Sequence, residues 1–194
     1  GLATASIIDP AKLRDKQERL FASLGELGRV IVAYSGGTDS AYLAWAANKV
    51  LGENALAITA DSPSIPASHK RAAEEFAHRF NIRHEYVETY EFNNPNYARN
   101  EADRCFHCKD ELFTVISETL AEDLSLDAVA YGENADDAKR LDRPGAEAAT
   151  RHRVLRPLAQ AGITKARVRA LAHDLGLSVA DKPAAPAWLA DSAR

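Results

Sequence analysis

A short hydrophobic run that ends in two glycines constrains the fold of this chain more than any other stretch. Residues Val30–Ala33 are all apolar, which predicts a strand that is buried on both faces. Gly36 and Gly37 then interrupt the run, and an alanine-rich helical pattern starts at Thr38. A strand, a glycine turn and a helix start in this order gather backbone N–H groups and the positive end of a helix dipole around one small space. This space is suited to bind phosphate.

The loop itself reads S-G-G-T-D-S over residues 35–40. It lacks the long glycine-spaced segment and the lysine of a Walker loop, and it lacks the third glycine of a dinucleotide fingerprint. Ser35 and Ser40 flank the glycines, and Asp39 stands where a carboxylate can hold Mg²⁺ against phosphate oxygens. An ordinary strand-to-helix turn that uses glycine for its dihedral angles is the alternative. The complete hexapeptide after a buried strand favours phosphate binding.

Strand and helix patterns alternate along the rest of the chain. Strands are predicted at residues 29–34, 55–60, 83–89 and 126–131, with a short extended piece at 156–158. Helices are predicted from Asp9 to Gly25 or Gly28 and at residues 38–52, 67–80, 110–123 and 164–175. This rhythm predicts an α/β fold with a doubly wound parallel sheet and a site at the carboxyl ends of its strands.

Polar residues follow two of the predicted strands directly. Asp61 and Ser62 come after the second strand, and the sequence G-E-N-A-D-D at residues 132–137 comes after the fourth. Because parallel strands end at one edge of a sheet, we expect both segments beside the glycine loop. A plain turn cluster is the alternative for residues 59–66. The charged stretch 139–153 is predicted to be a solvated surface excursion.

Composition limits the class of protein. The chain has 194 residues, 46% of them hydrophobic, which suits one domain or one domain with a small appendage. A net charge of −4 does not indicate a general nucleic-acid or membrane-surface binder. No apolar run approaches the roughly 20 residues of a membrane span, and the first residues lack a signal-peptide pattern, so we expect a cytoplasmic protein. Because methionine is absent, we do not expect Gly1 to be the encoded start.

The chain has two cysteines, Cys105 and Cys108, in a C-x-x-C pair. In a cytosolic chain this spacing indicates redox, metal or sulfur chemistry more often than a structural disulfide. One cysteine of the pair can carry a persulfide while the other releases the sulfur by disulfide formation. The pair can also form half of a zinc or iron-sulfur site, completed by His107 or by outside ligands. A structural pair without chemistry is the remaining alternative.

The hexapeptide at residues 35–40 resembles the pyrophosphate loop, or PP-loop, of the N-type ATP pyrophosphatases, a superfamily that includes GMP synthetases, NAD synthetases and several sulfur transferases. The resemblance implies an adenine nucleotide alpha hydrolase-like, Rossmann-like fold and an enzyme that adenylates its substrate and releases pyrophosphate. It divides the chain into an N-terminal helix at 1–28, a PP-loop domain at 29–185 and a tail at 186–194.

Several separate motifs are similar to the LarE type of ATP-dependent sulfur transferase, in register over residues 20–185. They are T-A-D-S-P-S-I-P, the segment N-N-P-N-Y-A-R-N-E-A-D-R-C-F-H-C-K, G-E-N-A-D-D and the run T-K-x-x-V-R to D-K-P-A at 164–184. This resemblance implies adenylation of an acceptor carboxylate, attack by sulfur and release of AMP. It makes Cys105, Cys108, Asp39 and Lys109 the expected catalytic residues, with Asp39 the partner of Mg²⁺.

The same resemblance assigns nucleotide binding to residues at the ends of the predicted strands. They are Ala33, Ser35, Gly36, Gly37, Thr38, Asp39, Ser40, Ala60, Asp61, Ser62, Gly132, Asn134 and, further along the chain, Lys182. Lys109 and Lys182 are expected to neutralise phosphate charge during adenylation. The expected cofactors are ATP and Mg²⁺, with an iron-sulfur cluster or a persulfide at the two cysteines.

The chain departs from the LarE type in two places. Family members that donate their own cysteine sulfur carry that cysteine shortly after D-K-P-A, where this chain has Pro186, Ala187 and Trp188. If sulfur moves through a protein thiol, Cys105 and Cys108 are the only thiols of this chain that can carry it. The family also continues into a second domain, so we expect a shorter relative or a trimmed chain. Expected partners are a small-molecule acceptor, a cysteine desulfurase or sulfide and a second copy of the chain, without membrane or nucleic acid.

Two rival functions fit part of the pattern. An amide-forming ligase of the synthetase branch would use ammonia in place of sulfur. A non-catalytic module that senses ATP or AMP, as universal stress proteins do, would need neither the cysteine pair nor Asp39.

Overall fold

The computed structural model of the chain describes residues 8–34, 37–61, 67–88, 112–114, 116, 127–139 and 154–176. Within them, four parallel strands form one sheet in the order β3-β2-β1-β4. The strands are β1 Val30–Ala33, β2 Ala55–Asp61, β3 His84–Glu88 and β4 Ala128–Tyr131. The predicted α/β fold with a parallel sheet is confirmed.

Helices connect and cover these strands. They are α1 Pro10–Gly25, α2 Thr38–Leu51, α3 Ala67–Arg79, α4 Ala135–Ala138, α5 Pro157–Gln160 and α6 Lys165–Asp174, with a 3-10 turn at Gly52–Asn54. The predicted extended piece at 156–158 is wrong. Only Leu155 pairs with the sheet, through a parallel bridge to Ala130, and Pro157 then begins α5. Proline is favoured at the first helical position because an N–H group there has no partner within the helix, so its absence in proline costs no hydrogen bond. None of the described helices is long and apolar enough to cross a membrane.

Side chains cap the starts of α1 and α6, the first and last helices in the described part of the chain. The Asp9 carboxylate accepts a hydrogen bond from Ala11 N–H at 3.0 Å at the start of α1. The Thr164 hydroxyl accepts one from Arg167 N–H at 3.3 Å at the start of α6. Each cap satisfies a backbone donor that the helix leaves open. Both helix starts agree with the sequence prediction.

The two central strands, β1 and β2, are buried on both faces of the sheet. Val30 and Val32 of β1 point into a cluster with the apolar faces of α1, α2, α3 and α6. Ile31 between them joins a second cluster on the opposite face, where it meets Phe113 and Ile116. Two faces of burial explain why β1 and β2 are continuous apolar runs and not alternating ones. This packing is the doubly wound arrangement that the sequence predicted.

A polar cluster lies where β2 and β3 pair. The Thr59 hydroxyl donates to the carbonyl oxygen of Tyr34 at 2.8 Å and lies 2.7 Å from His84 Nε2. Because the hydroxyl has one proton, His84 Nε2 donates in the second contact. Tyr34 and Tyr86 pack edge-on against the imidazole at ring-centre distances of 5.4 and 4.9 Å. Burial lowers the pKa of His84, against the smaller opposing effect of Glu74 and Glu85.

We therefore expect the stability of the domain to fall as pH drops below the ordinary histidine range. The folded state holds His84 neutral, whereas the unfolded chain takes up a proton near pH ~6.5. The stabilisation is complete above that pH and is lost progressively as the pH falls towards the lowered pKa of the folded state. Urea unfolding of the wild type and His84→Gln between pH 7.5 and 5.5 tests this expectation. The wild type should show the steeper loss, His78→Gln on the exposed side of α3 should keep the wild-type slope, and equal slopes for all three proteins would contradict it.

Candidate functional site

The carboxyl ends of β1 and β4 lie side by side. β2 and β3 extend the sheet on one side of β1, whereas β4 pairs with its other side. The direction of strand order therefore reverses between β1 and β4, and open parallel sheets bind ligands in the crevice outside this reversal. We call the start of α2, residues 132–134 and the start of α6 the candidate site.

α2 begins beyond β1 without a capping side chain. Gly37 is its N-cap, with an extended backbone (φ −77°, ψ 170°) and no side-chain capping hydrogen bond. Thr38 and Ser40 in the first turn are buried. The N–H groups and the dipole at a helix start attract anions, and α2 has 14 residues to contribute to that dipole. The start of α2 is thus suited to bind phosphate.

Asp39, in the first turn of α2, is held by two side chains from distant parts of the sequence. Asn134 Nδ2 donates to Asp39 Oδ2 at 3.0 Å, and Lys165 Nζ donates to Oδ1 at 3.0 Å. The Asp39 side chain is 15% exposed and that of Lys165 is 19% exposed. A charge-assisted bond between two mostly buried groups fixes the carboxylate more firmly than a surface ion pair does.

The contacts of Asn134 determine the orientation of its amide. Its Oδ1 accepts a hydrogen bond from Asp137 N–H at 2.9 Å and so caps α4. The Nδ2 group consequently faces Asp39. Because Asn134 is 2% exposed, protein groups satisfy both ends of the buried amide. One side chain therefore starts a helix and positions the carboxylate.

Gly132 allows the chain beyond β4 to approach α2. A Cβ atom at this position would lie 2.9 Å from both the carbonyl carbon of Asp39 and the backbone nitrogen of Ser40. Real side chains do not tolerate this distance to backbone atoms. Glycine is required here for close approach, and that approach brings Asn134 within reach of Asp39.

Lys165 is anchored through its backbone as well as its side chain. Its N–H donates to Asp136 Oδ2 at 2.9 Å, at the first position of α6. The buried face of α6, which includes Val168 and Leu171, packs on α2. These contacts hold the Cα of Lys165 in place while its ammonium group reaches into the candidate site.

Burial is the dominant influence on the pKa of the Asp39 carboxylate. It raises the pKa of Asp39, and the nearby Asp137 adds to that effect, whereas Lys165 and Asn134 oppose it. A carboxylate in this environment gains more from a nearby cation than one in water does. Asp39 therefore fits the role of a Mg²⁺ partner, since Mg²⁺ is bound through one or two carboxylates together with phosphate oxygens and water.

Three solved structures have similar folds. NMN synthetase from Francisella tularensis has a TM-score of 0.68, 18% identity and coverage of 88% of this chain and 74% of its own. NH3-dependent NAD synthetase from Campylobacter jejuni has a TM-score of 0.64, 16% identity and coverage of 88% and 75%. The U34-tRNA thiolase NcsA from Methanococcus maripaludis, with its [4Fe-4S] cluster, has a TM-score of 0.63, 18% identity and coverage of 94% and 71%. The chain has the adenine nucleotide alpha hydrolase-like fold of PP-loop proteins.

Two curated proteins are similar in sequence to this chain. The uncharacterized protein slr1717 of Synechocystis is 44% identical over 90% of the chain and 64% of its own length. Pyridinium-3,5-bisthiocarboxylic acid mononucleotide synthase of Lactiplantibacillus plantarum is 30% identical over 87% of the chain and 60% of its own length. The chain thus spans less than two thirds of either relative. No protein-family model matches it.

The structure brings together part of the predicted site. Gly37, Thr38, Asp39 and Ser40 begin α2 and lie beside Gly132 and Asn134, while Ala33 ends β1. Ala60 and Asp61 end β2, where Lys70 of α3 holds the Asp61 carboxylate at 2.8 Å. Ser35, Gly36, Ser62, Cys105, Cys108, Lys109 and Lys182 lie outside the described residues. The binding roles of all these residues stay predictions.

Lys165 was missed by the sequence analysis. It appears there only inside the motif T-K-x-x-V-R, because a lysine in the first turn of an amphipathic helix usually faces solvent. The available signal was its place directly after the helix cap Thr164, at a segment that returns to the sheet edge. Within the described part of the chain, no group of three or more His, Cys, Asp or Glu side chains is placed to hold a metal ion.

We expect Asp39 and Asn134 to be energetically coupled. Asn134→Asp keeps an oxygen that caps α4, but it removes the donor and sets a second carboxylate against Asp39. This substitution should lower the free energy of unfolding by about 1–3 kcal/mol. Adding Asp39→Asn should restore part of the loss, because the amide and the carboxylate then exchange places. Urea unfolding of the four proteins measures the coupling, and losses that add within about 0.5 kcal/mol would contradict it.

Proposed function

We propose that this protein is an ATP-dependent sulfur transferase that adenylates a carboxylate on a small-molecule acceptor and then replaces the activated oxygen with sulfur. One observation supports this proposal above the others. The chain is 30% identical, over 87% of its length, to a synthase whose product carries thiocarboxylic acid groups. Converting a carboxylate into a thiocarboxylate requires an activated carboxyl oxygen, and adenylation by ATP is one way to activate it.

The candidate site suits the first half of the reaction. A carboxylate oxygen of the acceptor attacks the α-phosphorus of ATP, the bond to the bridging oxygen of the β-phosphate breaks, and pyrophosphate leaves. The start of α2 would stabilise the negative charge that gathers on the leaving pyrophosphate. Asp39 would hold Mg²⁺, which neutralises phosphate charge when bound. Further contacts from Ser35, Gly36 and Lys182 are part of the proposal.

The second half of the reaction needs a sulfur carrier, and we assign this role to Cys105 and Cys108. The outer sulfur of a persulfide on Cys105 attacks the acyl carbon, a C–S bond forms, and AMP leaves. The Cys108 thiolate then attacks the Cys105 sulfur, which forms the disulfide and releases the thiocarboxylate. A cysteine desulfurase would supply the persulfide, and a thiol reductant would restore the pair. A cluster held by the two cysteines is the alternative carrier.

An ammonia-using ligase would share the first half of this reaction. The NH3-dependent NAD synthetase has the same fold, and ammonia in place of sulfur would attack the adenylate to give an amide. Likeness of fold alone does not separate the two reactions. The nucleophile therefore has to be tested directly.

We expect the purified protein to release pyrophosphate from ATP and Mg²⁺ in the presence of a suitable carboxylate. The first acceptor to test is the dicarboxylate counterpart of the product named for the Lactiplantibacillus relative. Asp39→Asn should reduce pyrophosphate release by about 100-fold, because it removes the Mg²⁺ partner. Asp15→Asn, an exposed carboxylate on α1, should retain it. Pyrophosphate is measured by a coupled assay and the acyl product by mass spectrometry.

The cysteine variants then identify the nucleophile. With cysteine and a cysteine desulfurase present, Cys105→Ser and Cys108→Ser should each keep pyrophosphate release and lose the thiocarboxylate. An amide formed with ammonia by the wild type and both variants would favour the ligase. If the protein binds ATP but releases no pyrophosphate with any carboxylate acceptor tested, both the sulfur-transferase and the ligase proposals would be contradicted.

A further inference from the structure

We propose that the Lys165 ammonium group occupies the divalent-cation position at Asp39 when no nucleotide is bound, and moves to a phosphate oxygen when Mg²⁺ and ATP bind together. The movement of the ammonium group to phosphate rests on the proposed function. The competition between the ammonium group and a metal ion at Asp39 involves only side chains that the structure places in contact. Lys165 would then act as a barrier to binding of metal without nucleotide, and as a phosphate contact once nucleotide is bound.

The contact geometry supports the first position. Lys165 Nζ lies 3.0 Å from Asp39 Oδ1, and Asn134 Nδ2 takes the other carboxylate oxygen. Both charged side chains are mostly buried, so water neutralises neither of them fully. The ammonium group therefore supplies the positive charge that a divalent cation would supply at the same carboxylate.

Lys165 and a divalent cation compete for Asp39. Each carboxylate oxygen has two lone pairs, so Asp39 Oδ1 can accept a second contact in addition to the one from Lys165. The number of available lone pairs therefore does not prevent a metal ion from binding. The obstacle is charge, because a metal ion on Asp39 would lie close to the ammonium group in a site shielded from water. Binding of metal without nucleotide must therefore push the ammonium group away from its carboxylate. Asn134 is uncharged and can stay in place throughout.

Phosphate gives the displaced ammonium group a new partner. The start of α2, where phosphate is proposed to bind, includes Asp39 itself. The backbone of Lys165 is fixed by Asp136 and by the packing of α6 on α2, whereas its four-carbon side chain can turn about its own bonds. A short movement of Nζ would exchange a carboxylate oxygen for a phosphate oxygen. Lysine is well suited to this exchange because it binds anions as a point charge without strict geometry.

The exchange has opposite consequences for metal and nucleotide. Without nucleotide, removal of the ammonium group should strengthen binding of a divalent cation to Asp39. With nucleotide, the same removal should weaken ATP binding, because a phosphate contact is lost. A lysine that only stabilised the fold would not produce opposite effects.

Mn²⁺ is the suitable metal for testing the exchange, since electron paramagnetic resonance measures the concentration of free Mn²⁺ directly. Lys165→Met should bind Mn²⁺ about tenfold more tightly than the wild type in the absence of nucleotide, a change equal to roughly 1.4 kcal/mol. Lys165→Arg keeps the charge and should bind Mn²⁺ as weakly as the wild type. Asp39→Asn in the Lys165→Met background should abolish the gain. Lys49→Met, roughly 15 Å along α2 from Asp39, controls for loss of a positive charge elsewhere on the protein.

The second arm measures ATP binding by isothermal titration calorimetry in the presence of Mg²⁺. Lys165→Met should weaken ATP binding by about tenfold or more, and Lys49→Met should leave it unchanged. Unaltered or weaker Mn²⁺ binding by a folded Lys165→Met protein would overturn the exchange. If Mn²⁺ binding strengthens but neither wild type nor variant binds ATP, competition at Asp39 stands while the exchange onto phosphate and the proposed function both fail. Circular dichroism and urea unfolding of each variant establish that it is folded.

Discussion

The contact of the Asp39 carboxylate with Asn134 and Lys165 is the interaction on which the candidate site depends. It joins Asp39 to residues that lie 95 and 126 positions further along the sequence, and the Asp39 and Lys165 side chains are mostly buried. A buried carboxylate without partners would be costly, so the three segments stabilise one another only when all are in place. The site and the packing of α6 are therefore parts of one arrangement.

The sheet topology explains why this contact forms where it does. β1 is central, with β2 on one side and β4 on the other, so the segments after β1 and β4 emerge together. Gly132 then permits the approach of backbone to backbone, and the cap of α4 turns the Asn134 amide towards α2. Each step follows from a local property of one residue. Together they place a carboxylate, an amide and an ammonium group beside the start of a 14-residue helix.

The sequence predicts most of the fold because its signals are local. An apolar run followed by two glycines predicts β1 and α2, and the caps Asp9 and Thr164 predict where α1 and α6 begin. The error at 156–158 has a local cause too: an arginine-proline pair is compatible with an extended piece as well as with a helix start. In the structure Leu155 pairs with β4, and Pro157 begins α5 two residues later.

The partners within the candidate site are less predictable because they depend on tertiary contacts. Nothing near Asp39 in the sequence indicates that its carboxylate meets Lys165. Asp61 has the same strand-end position as the other predicted site residues, yet its carboxylate pairs with Lys70 of the following helix. The sequence can place polar residues at one edge of a sheet, but side-chain length and helix packing decide which of them touch.

A crystal structure with Mg²⁺ and an ATP analogue that resists cleavage between the α- and β-phosphates tests the central claim most directly. We expect the terminal phosphates on the backbone N–H groups at the start of α2, with Mg²⁺ bridging them to Asp39. Nucleotide bound elsewhere, or the start of α2 closed by the protein's own side chains at saturating nucleotide, would contradict it.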